Sequence, residues 1–387
     1  MIVVKYLVLG SGLMGQAVVH DLAGSPLVKE IRLADINFES AKKVAKMIGK
    51  PIINPIRINV QDSDQLFPAM KGVNTAIGCI SYKYNFELAK AAIQMGINFC
   101  DLGGNNTIVE KEFSLDKKAR EANVTIVPDC GLAPGLVNIL VAAGAQKLDE
   151  IDEIHIRVGG LPQNPQPPLK YAILFSAEGL LNEYIEPTEI IREGQRLQIP
   201  SLSEIEKIKF REPFGILEAF QTSGGASTLP KTFEGKVKEL DYKTIRYPGH
   251  CRKMKTILDF GFRSTKEITF DKCNISPRKF LEKMLEKVLV KKGIKDVTLL
   301  RVEIVGFRKE KKQKVSYEII DFYDEQSKLT SMMRMTAFPT SIIAQMITNG
   351  QIQSKGVIVQ EFNIPWSKMN QELRKRNINI QEKIEFL

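Results

Sequence analysis

Cysteine, histidine and tryptophan are scarce in this 387-residue chain, at five, three and one. The cysteines, Cys79, Cys100, Cys130, Cys251 and Cys273, are scattered, odd in number and never in C-x-x-C spacing. That excludes a disulfide framework, and with so few histidines no metal centre is expected either. The thiols read as free, in a reducing compartment. No apolar run reaches the roughly 18 residues that a membrane span needs. The longest, residues 136–145, is interrupted by Asn138 and reads as a buried helix. Strand-like IVVKYLVLG follows Met1 at once, so no leader peptide is expected, and the protein is read as cytoplasmic with no membrane partner. Internal repeats and low-complexity tracts are also missing.

What is present is an ordinary globular composition, 43% hydrophobic and 26% charged, with a formal charge of +10. A basic balance raises the question of nucleic acid. Lys and Arg are spread along the chain, however, and the one dense run, KEKKQK at 309–314, lies between two strand-like segments. A charged hairpin tip accounts for it, and no nucleic-acid partner is expected. The length suits two domains.

Residues 6–9, 31–34, 52–60, 75–80, 98–101 and 124–127 are strand-like, alternating with helix-like 14–23, 38–48, 63–70, 86–95 and 109–122. Such alternation predicts βαβ units and a parallel sheet covered on both faces. Asn37 and Ser63 are expected caps, and Gly49 and Gly96 expected stops. After a helix at 136–147 the texture changes to longer antiparallel strands at 154–158, 189–192, 217–221, 237–246, 299–306 and 315–323. A helix at 276–289 opens with Ser276 as cap and Pro277 at its first position. Another spans 340–348, before a basic amphipathic tail. The expected architecture is α/β: a Rossmann-type parallel-sheet domain at 1–130, and an α+β substrate and dimerisation domain with a mostly antiparallel sheet at 131–330. A C-terminal segment, 331–387, returns to the first domain. Long strands with a face or edge to cover predict a homodimer.

The first strand runs into Gly10-Ser-Gly12-Leu13-Met14-Gly15 at the start of a helix. The first glycine permits the tight turn, the second lets backbone approach a pyrophosphate, and the third lets helix pack on strand. Leu13 and Met14 complete the turn. Asp35 ends the second strand at the position of a carboxylate that bonds ribose hydroxyls, and no arginine follows it in DINFES, which favours NAD over NADP. Asp62 either faces the adenine edge or opens the next helix. Ser81, after GCI, is a candidate for the nicotinamide ribose, or else only begins a helix.

Downstream, PDCGLAPGLVNI (128–139), GGLPQNP (159–165), FSAEGLLNEY (175–184), LEAFQTSGGASTLP (217–230), YKTIRYPGHC (242–251) and AFPTSIIAQMITNG (337–350) follow in order. This set resembles the saccharopine dehydrogenase-like family, and within it most the lysine 6-dehydrogenases. The resemblance covers nearly the whole chain. It departs from the family pattern at Ala337-Phe338, where a glycine usually precedes the aromatic, and at 356–362, which lack a proline before the glutamate.

The resemblance implies NAD-dependent oxidative deamination of a small amino-acid substrate, foremost L-lysine at its ε-amine, to 2-aminoadipate 6-semialdehyde and its cyclised form. The alternatives are a saccharopine dehydrogenase or reductase, or a non-catalytic NAD-binding relative. Arg246 is the candidate for the substrate carboxylate, since its fork pairs carboxylates bidentately. His250 is a candidate base or substrate contact. Asp129 can hold an ammonium, take part in proton transfer, or cap the following turn. Glu178, Thr222 and Ser223 belong to the matched stretches as polar contacts, Glu178 preferred because a carboxylate suits a cationic substrate.

Overall fold

The computed structural model describes residues 4–271, 273–291 and 293–387. The chain folds into two units, one holding residues through 143 and 333–379, the other 144–332 and 380–387.

In the first unit, short apolar strands alternate with helices: β1 Val4–Leu9, β2 Val28–Asp35, β3 Ile53–Arg57, β4 Thr75–Gly78, β5 Asn98–Asp101 and β6 Thr125–Val127. They pair in the order β3-β2-β1-β4-β5-β6, every pair parallel, and β17 (Gly356–Val357) adds a seventh parallel strand beside β6. The sequence pattern reflects burial on both faces: Leu7, Val8 and Leu9 are fully buried. Asn37 caps helix Phe38–Ile48 by accepting from Ser40 N, a contact worth about 1 kcal/mol. Gly49 and Gly96 end their helices in the left-handed region. Ser63, however, is not a cap: Asp62 is, accepting from Asp64 N. The strand expected to reach residue 60 ends at Arg57, so Asp62 lies in the following loop. The helix expected over 109–122 is two, Asn106–Phe113 and Asp116–Glu121, because the chain turns at Ser114. The closing helix is longer than expected, Ser331–Thr348.

The second unit adds β7 Glu150–Pro162, β8 Thr188–Arg192, β9 Gln195–Ile199, β10 Glu206–Lys209, β11 Ile216–Gln221, β12 Glu239–Arg246, β13 Ile268–Phe270, β14 Cys273–Ile275, β15 Asp296–Arg308, β16 Lys311–Phe322 and β18 Gln381–Phe386. Its main sheet runs β10-β11-β12-β7-β15-β16-β18 and is antiparallel except for β12 beside β7. That parallel pair was not expected. Nor was β18: residues 380–387, expected to return to the first domain, pair instead with β16. Helices Ala177–Ile185, His250–Ile257 and Pro277–Leu289 share one apolar cluster, in which Leu180, Tyr184, Cys251, Met254 and Leu285 pack with Phe220 of β11. Only the third was expected. Ser276 caps it, and Pro277 opens it.

Lys309 and Glu310 form the two-residue turn between β15 and β16, both with positive φ (48° and 61°). That is the geometry in which a hairpin favours Asn-Gly. The double substitution Lys309→Asn, Glu310→Gly is expected to stabilise the chain by about 1 kcal/mol. A raised urea midpoint with unchanged slope checks it; an unchanged midpoint contradicts it.

Candidate active site

At the nucleotide turn, two glycines are required by the protein's own packing. A Cβ on Gly15 would overlap the Gly10 carbonyl, and one on Gly10, whose φ is +106°, would press into Cys79 and Ile80. Gly12 is different: a Cβ there would meet no protein atom within 4 Å. Packing does not explain this glycine, whereas a pyrophosphate approaching the backbone does. Gly12 stands at the N-cap of helix Leu13–Ala23 with no side-chain cap, so the helix N–H groups point outward. Leu13, 47% exposed, and Met14 form its first turn. The Asp35 carboxylate accepts from Ser11 N and Ser11 Oγ, both at 2.7 Å, and from Asn37 N at 2.8 Å. It is thereby tied to the glycine turn. Asp62 binds Asp64 N and Gln65 Nε2, which is the turn-opening role. Ser81 leads into a short 3₁₀ turn without capping it, and its buried Oγ has no partner among the described residues. These features fit a dinucleotide.

Three acids gather at the carboxyl ends of β5 and β6. Asp101 Oδ1 accepts from Gly103 N at 2.7 Å, Asn85 Nδ2 at 2.8 Å and, more loosely, Asp129 N at 3.4 Å. Glu112, fully buried on helix Asn106–Phe113, faces Asp101. No N–H or O–H of the described residues reaches either Glu112 oxygen or Asp101 Oδ2. With Asp101 Oδ2 and both Glu112 oxygens lacking donors, the two facing carboxyl groups favour keeping one proton between them. Burial raises both, and the Asp101 charge raises Glu112 further. Asp129, 2% exposed with φ +60°, lies against Gly103, where a Cβ would overlap its carboxylate. Its loop is held by Gln360, whose side-chain amide donates to the Pro128 and Asp129 carbonyls. Gln360 precedes Glu361, where the resemblance leads one to expect a proline, and a proline could make neither bond. Cys130 gives its thiol to Val127 O at 3.1 Å, and burial pushes its pKa up, which suits packing rather than nucleophilic chemistry.

In the second unit, alternation along β12 puts Tyr242, Thr244 and Arg246 on one face and Asp241 and Lys243 on the other. The latter pair meets Arg157 and Glu206. Arg246, 3% exposed, donates from Nε to Tyr184 Oη at 3.0 Å and from Nη1 to Ile245 O at 2.9 Å, and lies 4.5 Å over the Tyr171 ring. The Tyr184 hydroxyl lies 3.0 Å from His250 Nε2, and His250 Nδ1 lies 3.1 Å from Leu169 O. With Nδ1 facing a carbonyl, Nδ1 carries the hydrogen and Nε2 accepts from Tyr184. Burial first, and the Arg246 charge second, lower the His250 pKa to about 3. The expectation of a base at His250 therefore meets a buried, neutral ring with both nitrogens engaged. That geometry positions Tyr184 and, through it, Arg246.

Helix Ala177–Ile185 carries two acids. Glu178 lies in its first turn, but the acid brought to Arg246 is Glu183, with Oε2 3.9 Å from Nη2. Burial raises Glu183 to about 7, with Arg246 opposing, while its side chain stays 33% exposed. The carboxylate therefore sits in a concavity that solvent enters. Thr222 is buried with Oγ1 unpartnered among the described residues, and Ser223 N donates to Glu183 O at 3.0 Å. Sequence reasoning missed Asp101, Glu112, Glu183, Tyr171 and Tyr184. The available signals were an acid closing an apolar strand, an acid on the inward side of a helix, and, for Tyr184, a place within a matched motif; Tyr171 lies outside those motifs.

Residues 6–127 match the saccharopine dehydrogenase NADP binding domain and residues 131–378 the saccharopine dehydrogenase C-terminal domain. The NADP+, L-glutamate-forming saccharopine dehydrogenase of Pyricularia oryzae is 24% identical over 297 residues, 72% of this chain and 62% of that one. The mitochondrial alpha-aminoadipic semialdehyde synthase of Rattus norvegicus is 22% identical over 422 residues, 92% of this chain and 45% of that one. The chain thus spans 45% to 62% of the length of these relatives. Apo saccharopine dehydrogenase (L-Glu forming) from Saccharomyces cerevisiae shares the fold at TM-score 0.80 and 18% identity, over 98% of this chain and 99% of that one. Homospermidine synthase from Legionella pneumophila in complex with NAD follows at 0.69 and 13%, over 99% and 91%.

The shared proton at Asp101 and Glu112 has a measurable consequence. The folded chain keeps Glu112 protonated where an unfolded chain ionises it, so native Glu112 loses stability as pH rises above the ordinary carboxylate range. Glu112→Gln removes this dependence. Its stability relative to wild type is expected to grow between about pH 5 and about pH 8, by up to roughly 1.4 kcal/mol per pH unit. Urea unfolding at both pH values reads it; a difference that does not change with pH rules out the shared proton.

Proposed function

Because the chain belongs to the saccharopine dehydrogenase family, carrying both of its domains in order, we propose that it is a pyridine-nucleotide-dependent oxidoreductase acting on an amine of an amino acid. The favoured reaction is oxidative deamination of L-lysine at its ε-amine, giving 2-aminoadipate 6-semialdehyde and its cyclised form. The observation that carries this reading is Arg246, a buried guanidinium whose nearest carboxylate, Glu183, stays beyond hydrogen-bonding distance. A desolvated cation in that condition is a receptor for a ligand carboxylate.

Gly10, Gly12, Leu13, Met14, Gly15, Asp35 and Ser81 would hold the dinucleotide, with Asp62 at the margin. When bound, the nicotinamide supplies the hydride acceptor. Asp35 favours NAD, since a carboxylate at the end of β2 repels a 2′-phosphate and Asn37, not an arginine, stands beside it. Arg246 would hold the carboxylate end of the substrate, with Tyr184 and His250 orienting it. Asp129, with the proton shared by Asp101 and Glu112 behind it, would accept the proton that an ammonium must lose before oxidation. Thr222, Ser223 and Glu178 would add polar contacts.

The relatives' names favour a second reading, saccharopine as substrate. Its three carboxylates ask for further cations. Yet Arg157 is taken by Asp241 and Glu206, Arg192 by Glu204, Arg196 by Glu189 and Glu234, and Arg263 by Asp259. Arg246, buried and with bonding capacity to spare, is the guanidinium best suited to a ligand carboxylate among these, which favours lysine.

We also read the protein as a cytoplasmic homodimer joined through the second unit. Phe280, Met284 and Val288 form an exposed apolar stripe along helix Pro277–Leu289. A monomer mass by light scattering at micromolar concentration would count against it.

Initial rates of NAD+ and NADP+ reduction, with lysine and with saccharopine, test the main reading. Turnover of lysine is expected, and its absence sinks the proposal. Arg246→Lys should lower kcat/KM for the amino acid by about a hundredfold without moving the cofactor KM. Asp35→Ser should shift the NAD to NADP preference by more than about tenfold toward NADP. An unchanged ratio removes Asp35 from cofactor choice.

A further inference from the structure

Arg246 Nη2 and Glu183 Oε2 face each other at 3.9 Å. A guanidinium–carboxylate hydrogen bond closes to about 2.7–2.9 Å, so this pair is aligned but not bonded. Neither group is saturated elsewhere. Arg246 spends Nε on Tyr184 and one Nη1 bond on Ile245 O, and no hydrogen bond among the described residues reaches the Glu183 carboxylate. The guanidinium and the Glu183 backbone are both held. The guanidinium lies on Tyr171, and the Glu183 backbone carbonyl accepts from Ser223 N. Next to Ser223, the buried Thr222 keeps its hydroxyl unpartnered. The phenol of Tyr242 stands within the electrostatic reach of both charges. The pocket therefore presents a guanidinium and a carboxyl group side by side, each with bonding capacity to spare, and an ammonium brought against Glu183 would favour its ionised form.

An α-amino acid carries the complementary arrangement, a carboxylate and an ammonium on one carbon. A ligand with the carboxylate alone would satisfy Arg246 but bring a like charge against Glu183, and an amine alone would do the reverse. We propose that Glu183 and Arg246 jointly read the α-amino acid head group, Arg246 binding the carboxylate and Glu183 the α-ammonium, and so exclude simple acids and simple amines. The inference rests on the reading that this pocket receives the amino-acid substrate. It assigns the head-group contact to Glu183 rather than to Glu178.

Equilibrium titration of the NAD-saturated protein with L-norleucine and with hexanoate tests it. Norleucine has the full head group and no side-chain amine to oxidise; hexanoate has the same chain without the α-ammonium. Wild type is expected to prefer norleucine by at least about tenfold, the scale of one charge-assisted hydrogen bond. Glu183→Gln should bring the ratio close to one while hexanoate binds no worse, and Glu183→Asp, which keeps the charge, should retain part of the preference. Urea midpoints confirm that both variants fold. If lysine is oxidised but wild type shows no preference, or Glu183→Gln keeps it, this inference falls while the oxidoreductase reading stands. If the preference exists and depends on Glu183 but no amino acid is oxidised, the head-group site stands and the oxidoreductase reading falls. Failure of norleucine to bind at all overturns the inference.

Discussion

Burying the Arg246 guanidinium is the constraint around which the second unit is arranged. A cation removed from water must be compensated by partners of exact direction, and here the compensation is spread. Tyr171 offers its ring face, Tyr184 its hydroxyl, Ile245 a carbonyl, and Glu183 a distant opposite charge. Each of these in turn needs support. Tyr184 is steadied by His250, which is steadied by the Leu169 carbonyl. The helix that starts at His250 is anchored by Glu218, which accepts from Gly249 N and Cys251 N. One charge is thus tied to two helices and a loop, and burial first, with that charge second, keeps the histidine neutral.

The first unit solves the converse problem. Strand β5 ends in Asp101, which faces Glu112, and among the described residues neither of these two acids makes an ion pair. Backbone N–H groups and a shared proton take the place of a counter-ion. Gly103 has no Cβ because Asp129 fills that space, and Gln360 fastens the Asp129 loop from the closing segment. The result is a pair of buried acids that favour the protonated form, at the end of the sheet where nucleotide-binding folds place their reactive chemistry.

Much of the fold was legible because it depends on local rules. The alternation of strands and helices through residue 127 reflects burial on two faces, and the Asn37 cap, Gly49 and Gly96 follow from backbone geometry alone. What escaped notice depended on partners remote in sequence. β18 is charged and exposed along most of its length, so nothing in its composition announces pairing with β16. The helices at Ala177–Ile185 and His250–Ile257 are short, and they are held by a shared core rather than by propensity.

The same division runs through the candidate site. Gly10, Gly12, Gly15 and Asp35 could be placed from the sequence, because a dinucleotide turn is built by neighbours along the chain and its glycines record backbone approach. Arg246 could be singled out by type and motif. Whether its neighbour is Glu178 or Glu183 is decided by which face of one helix turns toward β12. Whether His250 is a base or a support is decided by the tyrosine and carbonyl that meet its two nitrogens. Those are contacts across 66 and 81 residues of chain. Residue type by itself determined which charges this protein carries to its site; only the tertiary structure decided which of them face each other, because burial and distance, not identity, set the strength of a charge.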